Sequence, residues 1–167
     1  MSGFARTLQR TPLDEPADKY VEMMVAASAQ LAELLEEIGL AARIESGRWE
    51  PNLQPVDARE LADAAAGRLD GAEAAGAGTE VNVDRVAAEL ALHQLARCAK
   101  RHGALEQVRL TVDGATIAVG PVVPAAAPIL VGEEPRDLGA LIAVRIVAAL
   151  GGALELDGER LLVRLPA

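Results

Sequence analysis

The chain has 167 residues, 51% of them apolar, but that apolar set is mostly 34 Ala, 23 Leu and 15 Val, with only three aromatic rings at Phe4, Tyr20 and Trp49. Such a set buries little area per residue, so a core has to come from closely approaching helices and Leu/Val strands. A formal charge of −9 excludes a generic nucleic-acid or anionic-membrane binder, because both rely on clustered Lys and Arg. No charge-free apolar stretch reaches the roughly 18 residues of a membrane span, and the opening MSGFARTLQR lacks the apolar segment of a signal peptide. The expectation is a soluble, cytoplasmic chain. Its single cysteine, Cys98, excludes an internal disulfide, and with only His93 and His102 as imidazoles no metal site is expected. Residues 1–80 carry 7 Lys/Arg against 15 Asp/Glu, and residues 81–167 carry 9 against 10, which suggests two structural units.

Tyr20, Met24, Ala27, Leu31, Leu34, Ile38 and Ala41 recur at alternating steps of four and three, the seam of a helix–helix contact. Val21, Val25, Ala32, Leu35 and Ala42 widen that stripe beyond what one helix can bury alone, so it needs a partner helix from the same chain or from another subunit; ordinary core packing is one reading, and a dimer interface is the preferred one. Asp18 suits an N-cap or first turn, and Ser46-Gly47 the end of the helix. WEPNLQPV (49–56) reads as an extended connector. Asp57 then caps a short helix to about Leu69, with Glu60 as its capping-box acid. GAEAAGAG (71–78) reads as a small-residue loop, EVNVD (80–84) as a strand, and 84–101 as a helix with Val86, Leu90, Leu95 and Cys98 near one side. Val108, Leu110 and Val112, the turn Asp113-Gly114, and Ile117 and Val119 describe a β-hairpin. PVVPAAAPILVGEEP (121–135) reads as a loop, Leu138 to Leu150 as a helix, and Leu154 to Leu165 as a closing hairpin about Asp157-Gly158. The pattern is α+β: a long helix, or a helical hairpin, followed by an α/β sandwich with helices on one face of a mixed sheet.

Two of these segments are distinctive. LLEEIGLAARIESGRWEPNLQPVDARELADAA (34–65) resembles the end of the second dimerisation helix of bacterial sensor histidine kinases and its connector into the catalytic domain. LGALIAVRIVAALGGALELDGERLLVRLP (138–166) resembles that family's closing helix and hairpin. The resemblance spans roughly 18–166 and implies a helical dimerisation region at 1–48, a connector at 49–56 and an ATPase-like domain of the histidine kinase (Bergerat) fold at 57–167.

The departures from the family pattern are concentrated where its chemistry lies. Arg10-Thr11-Pro12-Leu13 match the last four positions of the phosphoacceptor motif His-Glu-Leu-Arg-Thr-Pro-Leu, which puts Thr7 at the histidine. Thr cannot supply a phosphoramidate nitrogen, and no histidine precedes position 93. Matching Lys100 to the family's Asn-x-x-x-Asn-Ala-x-Lys puts His93 and Arg97 at the asparagines, and a guanidinium has no lone pair for magnesium. The adenine-binding Asp-x-Gly-x-Gly is replaced by Gly120-Pro121-Val122-Val123-Pro124, and the phosphate-facing Gly-x-Gly survives only as Asp137-Leu138-Gly139. The long ATP lid is reduced to a Pro/Ala loop.

The resemblance therefore implies a degenerate nucleotide pocket at His93, Arg97, Lys100, Gly120, Asp137 and Gly139, with no catalytic residue and neither ATP nor Mg expected as cofactor. It points to a catalytically inactive, histidine-kinase-like regulatory or adaptor protein of two-component signalling, whose partners are a second copy and a response-regulator receiver domain or a histidine kinase. A phosphorelay histidine phosphotransferase and a genuine ATP-binding kinase domain are the alternatives. Among the remaining groups, His93 and His102 lie nine apart rather than at the four-residue spacing of a shared metal face, Cys98 reads as a buried inert thiol, and Arg97, Lys100, Arg101 and His102 cluster where a helix C-terminus or a residual anion site favours them. Glu33, Glu36, Glu37 and Glu45 read as a solvated acidic face.

Overall fold

The computed structural model describes residues 15–167, so Thr7 and the Arg10 to Leu13 stretch lie outside the described residues. Contacts divide the chain into two units, one up to Ala42 and one from Arg43 onward. Helix α1 (Glu15–Glu45) dominates the first and extends about 47 Å at 1.5 Å per residue. Asp18 falls in its first turn, where a carboxylate complements the helix dipole. At its end Gly47 adopts φ +63°, while Gly47 N–H donates to Ile44 O at 3.0 Å and Arg48 N–H to Arg43 O at 2.9 Å. These two bonds make the Schellman stop that the Ser46-Gly47 pair foretold. Along α1, Tyr20, Met24, Ala27, Leu31, Leu34 and Ile38 are exposed and Ala41 is half-buried.

The second unit differs from expectation at its start. Half of the predicted connector is a strand, β1 (Leu53–Asp57), paired antiparallel with β3 (Glu80–Asp84) in a two-stranded sheet that sets Val56 opposite Val81. Pro55 masked it, yet a strand with only one neighbour tolerates a missing N–H. Helix α2 (Ala58–Ala66) ends at Gly67, short of Leu69. Asp57 caps it by accepting from Arg59 N–H at 2.7 Å, but Glu60 closes no capping box: its carboxylate meets Arg85 Nη1 at 3.2 Å instead.

The predicted loop at 71–78 is also a strand. β2 (Ala72–Gly78) runs parallel to β4 (Val108–Gly114), with Ala72 opposite Val108 and Gly78 opposite Gly114. Its Ala/Gly composition carries no β signal of its own, and β4 supplies the ladder. Gly76, at φ +100°, has room for no side chain, since a Cβ would lie 2.0 Å from Val112 O.

Helix α3 (Arg85–His102) starts on Asp84, which accepts from Ala87 N–H at 3.1 Å. Val86 points to solvent rather than to the predicted apolar side; the buried face is Ala87, Ala88, Ala91, Leu92, Leu95, Ala96, Cys98 and Ala99. β4 turns at Asp113-Gly114 into β5 (Thr116–Gly120), and the Pro/Ala loop that follows holds one short helix, α4 (Ala127–Leu130), whose Ile129 and Leu130 are buried. Helix α5 (Leu138–Ala149), β6 (Ala153–Asp157) and β7 (Arg160–Arg164) close the chain.

The main sheet is mixed, in the order β2-β4-β5-β7-β6, with β2 to β4 its one parallel pair. Leu110, Ile117, Leu161 and Val163 from the sheet meet a helical layer that contributes Leu61, Leu92, Leu95, Ile142 and Ile146. Each such large side chain contributes about 1.5–3 kcal/mol on burial, and the alanines of α3 let α2 and α5 approach closely. This is the α+β sandwich the periodicities implied. Among the described residues no helix is long and apolar enough to cross a membrane.

Candidate functional site

The C-terminal half of α3 lies against the first turn of α5, and Gly139 permits the approach: a Cβ there would stand 2.3 Å from Gln94 Oε1 and 3.0 Å from Arg97 Nη2. Asp137, the residue that starts α5, is 4% exposed. Its Oδ1 accepts from Ala140 N–H at 3.1 Å, and its Oδ2 meets His102 Nε2 at 3.1 Å and the Arg101 guanidinium. Burial by itself would raise the Asp137 pKa; the Ala140 N–H, the Arg101 charge and the hydrogen bonds from His102 and Arg101 outweigh it and hold the carboxyl below its usual range.

Cys98 completes the group. It is buried, and its Sγ, one His102 ring nitrogen and one Asp137 carboxylate oxygen all lie within 4.8 Å of one another. Burial first, and the Asp137 charge second, push the thiol up to about 12, so at neutral pH it is protonated and unreactive as a nucleophile. The cluster thus offers one sulfur, one nitrogen and one oxygen donor from two rigid helices, opening to solvent on the side of His102, which is about a quarter exposed.

The six residues assigned to a degenerate pocket have different immediate neighbours. Arg97, Asp137 and Gly139 meet at the α3–α5 contact. His93 instead turns Nδ1 toward Ala65 O on α2 at 3.4 Å, Lys100 donates to Asp70 O in the turn before β2, and Gly120 lies beside Glu159 and Arg160. With Pro121, Gly120 lines a shallow groove of about 350 Å³ that Glu73, Arg109, Thr111 and Arg160 also border, on the sheet face turned away from the buried side chains of β4. Cys98 and His102, which complete the donor cluster, stand four residues apart on one helix face, a signal present in the sequence that the nine-residue spacing of the two histidines does not carry.

The first turn of α5 presents backbone N–H groups of the kind that seat phosphates, but one of them is already taken by Asp137. Arg97 offers no lone pair to a cation, and a thiol and an imidazole are poor partners for a hard, oxygen-seeking ion.

No protein-family model and no curated protein matches the chain. Solved structures do match. Full-length ShkA in complex with AMPPNP is 26% identical with a TM-score of 0.70, over 98% of this chain and 42% of that one, so the present chain spans about two-fifths of its length. The Acinetobacter baumannii histidine kinase AdeS is 16% identical with a TM-score of 0.64, over 99% of this chain and 91% of that one. The ATP-binding domain of PrrB from Mycobacterium tuberculosis is 23% identical with a TM-score of 0.54, over 70% of this chain and 98% of that one. At those identities AdeS and PrrB bear on the fold alone.

Proposed function

We propose that this chain, a member of the sensor histidine kinase family by fold, is a catalytically inactive relative that serves two-component signalling as a dimeric regulatory or adaptor protein in the cytoplasm. The observation that carries this reading is Asp137. A carboxylate fixed by Ala140 N–H, Arg101 and His102 fills the helix N-terminus on which a nucleotide-binding relative would place phosphate. It is covalently tethered, so a nucleotide would have to displace a charge-assisted hydrogen-bond network before binding. The Pro/Ala loop supports the same reading, because Val122, Ala126, Ile129 and Leu130 are buried in the core rather than available to close over a ligand.

Dimerisation rests on α1. Tyr20, Met24, Leu31, Leu34 and Ile38 are exposed along one seam, a surface a second copy would cover as a coiled coil covers its a and d positions. The partner beyond the second copy is a receiver domain or a histidine kinase, the classes that dock on such helices in the family.

Calorimetric titration with a nonhydrolysable ATP analogue and magnesium tests the central claim. No heat of binding at micromolar analogue is expected, and a micromolar Kd would overturn the reading in favour of an ATP-binding kinase domain. Incubation with a phosphorylated receiver domain is expected to leave no acid-labile phosphate on the chain; its appearance would favour a phosphotransferase.

A further inference from the structure

We propose that Cys98, His102 and Asp137 form a zinc-binding site between α3 and α5. The donor set is the first argument. A sulfur, an imidazole nitrogen and a carboxylate oxygen are the mixture that zinc accepts and that calcium and magnesium do not. Geometry is the second. All three donor atoms lie within 4.8 Å of one another, and His102 Nε2 and Asp137 Oδ2 are 3.1 Å apart. Zn–N, Zn–O and Zn–S bonds of about 2.0–2.3 Å in a tetrahedron set one sulfur, one nitrogen and one oxygen about 3.3–3.6 Å apart, so the ion requires adjustments of about 1.2 Å at most.

The supporting contacts are already in place. Cys98 and His102 occupy successive turns on one face of α3, and Asp137 is held from α5 by the bond from Ala140 N–H to Oδ1, so that Oδ2, which faces His102 and Arg101, is the oxygen a metal would take. Cys98 and Asp137 are buried, whereas His102 is partly exposed, so a fourth position opens toward solvent for water or a ligand.

Charge is the third argument. Arg97 and Arg101 flank the cluster and would repel a bare cation. Zinc binding releases the Cys98 S–H proton to solvent as the Zn–S bond forms, the proton on His102 Nε2 leaves to solvent or is replaced by one on Nδ1 as the Zn–N bond forms, and thiolate plus carboxylate then neutralise the divalent ion. Arg101 gives up its contact with Oδ2 when the metal enters, and its side chain is 57% exposed, free to move into water. The site does not depend on whether the domain binds nucleotide, and its test contains none, so the two readings fail separately.

The experiment uses the whole chain, stripped with a chelator and titrated first with Zn2+ and then with Co2+. One zinc per chain at micromolar affinity is expected, with a thiolate-to-cobalt charge-transfer band in the near ultraviolet and d–d bands of tetrahedral intensity. His102→Gln, at a partly exposed position, is expected to stay folded by circular dichroism and lose at least tenfold in affinity; Cys98→Ser is expected to lose the charge-transfer band. Absence of stoichiometric binding would overturn the proposal. So would cobalt bound without the sulfur band, or a folded His102→Gln chain that binds zinc as the wild type does.

Discussion

Asp137 and His102 face each other across the α3–α5 contact, Oδ2 to Nε2 at 3.1 Å, so that the last residue of one helix is held by the residue that starts the other. The carboxylate serves two helix ends at once, capping the N–H groups of α5 and neutralising the basic last turn of α3. Replacing it by Ala removes an N-cap worth about 1 kcal/mol and leaves the positive groups of α3 unpaired, for an expected loss near 2 kcal/mol. Asp137→Asn keeps an oxygen for Ala140 N–H and should recover about half. Urea denaturation in chelator measures both. Because the folded-state pKa of Asp137 is lowered, its contribution is present above the ordinary carboxylate pKa and is lost as pH falls through the depressed folded value. The gap between wild type and Asp137→Asn should therefore narrow in acid, and a gap that widened below about pH 4 would contradict the assignment.

The exposed seam of α1 yields a prediction about assembly. Leu34→Glu sets a charge in the middle of the proposed interface and should shift sedimentation from dimer to monomer, while the second unit retains its circular dichroism. A dimer unaffected by this change would mean that another surface holds the copies together.

Arg59 is expected to secure the outer strand of the main sheet. Its Nη1 donates to Gly76 O at 2.8 Å and its Nη2 to Ala74 O at 3.1 Å, while Asp63 on the same helix face takes Nε at 2.9 Å. The carbonyls that β2 turns away from β4 are thus occupied by a planar cation, which also discourages edge-to-edge pairing between molecules. Arg59→Ala should cost about 1–2 kcal/mol and speed aggregation on heating; Arg59→Lys should rescue only in part, because an ammonium lacks the forked geometry. Thermal scans with light scattering distinguish these outcomes.

Two glycines with positive φ separate strain from space. Gly76 (φ +100°) would place a Cβ 2.0 Å from Val112 O, whereas Gly151 (φ +79°) has nothing within 4 Å. Gly151→Ala should cost about 1 kcal/mol, the strain of the left-handed conformation alone. Gly76→Ala adds a clash with backbone that cannot yield, and a loss several times larger is expected. Equal losses in chemical denaturation would mean that β2 can shift outward from β4.

Most elements were legible because their signals are local. The seam of α1, the cap Asp57 ahead of α2, and the Asp113-Gly114 and Asp157-Gly158 turns each announce themselves within a few residues. β1 and β2 did not, since Pro55 and the Ala/Gly run of 72–78 have low intrinsic preference for strands and are held by partners 27 and 36 residues away, Asn82 for Pro55 and Val108 for Ala72. The candidate site shows the same division. In the sequence Asp137 reads as a departure from the phosphate-facing Gly-x-Gly of the resembled family, but only the packed helices reveal that its charge is satisfied internally, by Arg101 and His102 some 35 residues earlier.

The parallel register of β2 with β4 also orders the events of folding. The two strands are joined through β3 and the whole of α3, so their ladder closes a long loop and becomes favourable only after the crossover helix has formed and docked. The neighbouring hairpin of β4 and β5, joined by a tight turn, has no such delay. A chain emerging from synthesis would hold α3 and that hairpin before its outermost strand is in place, and during that interval the open edge of β4 is the surface most in need of protection.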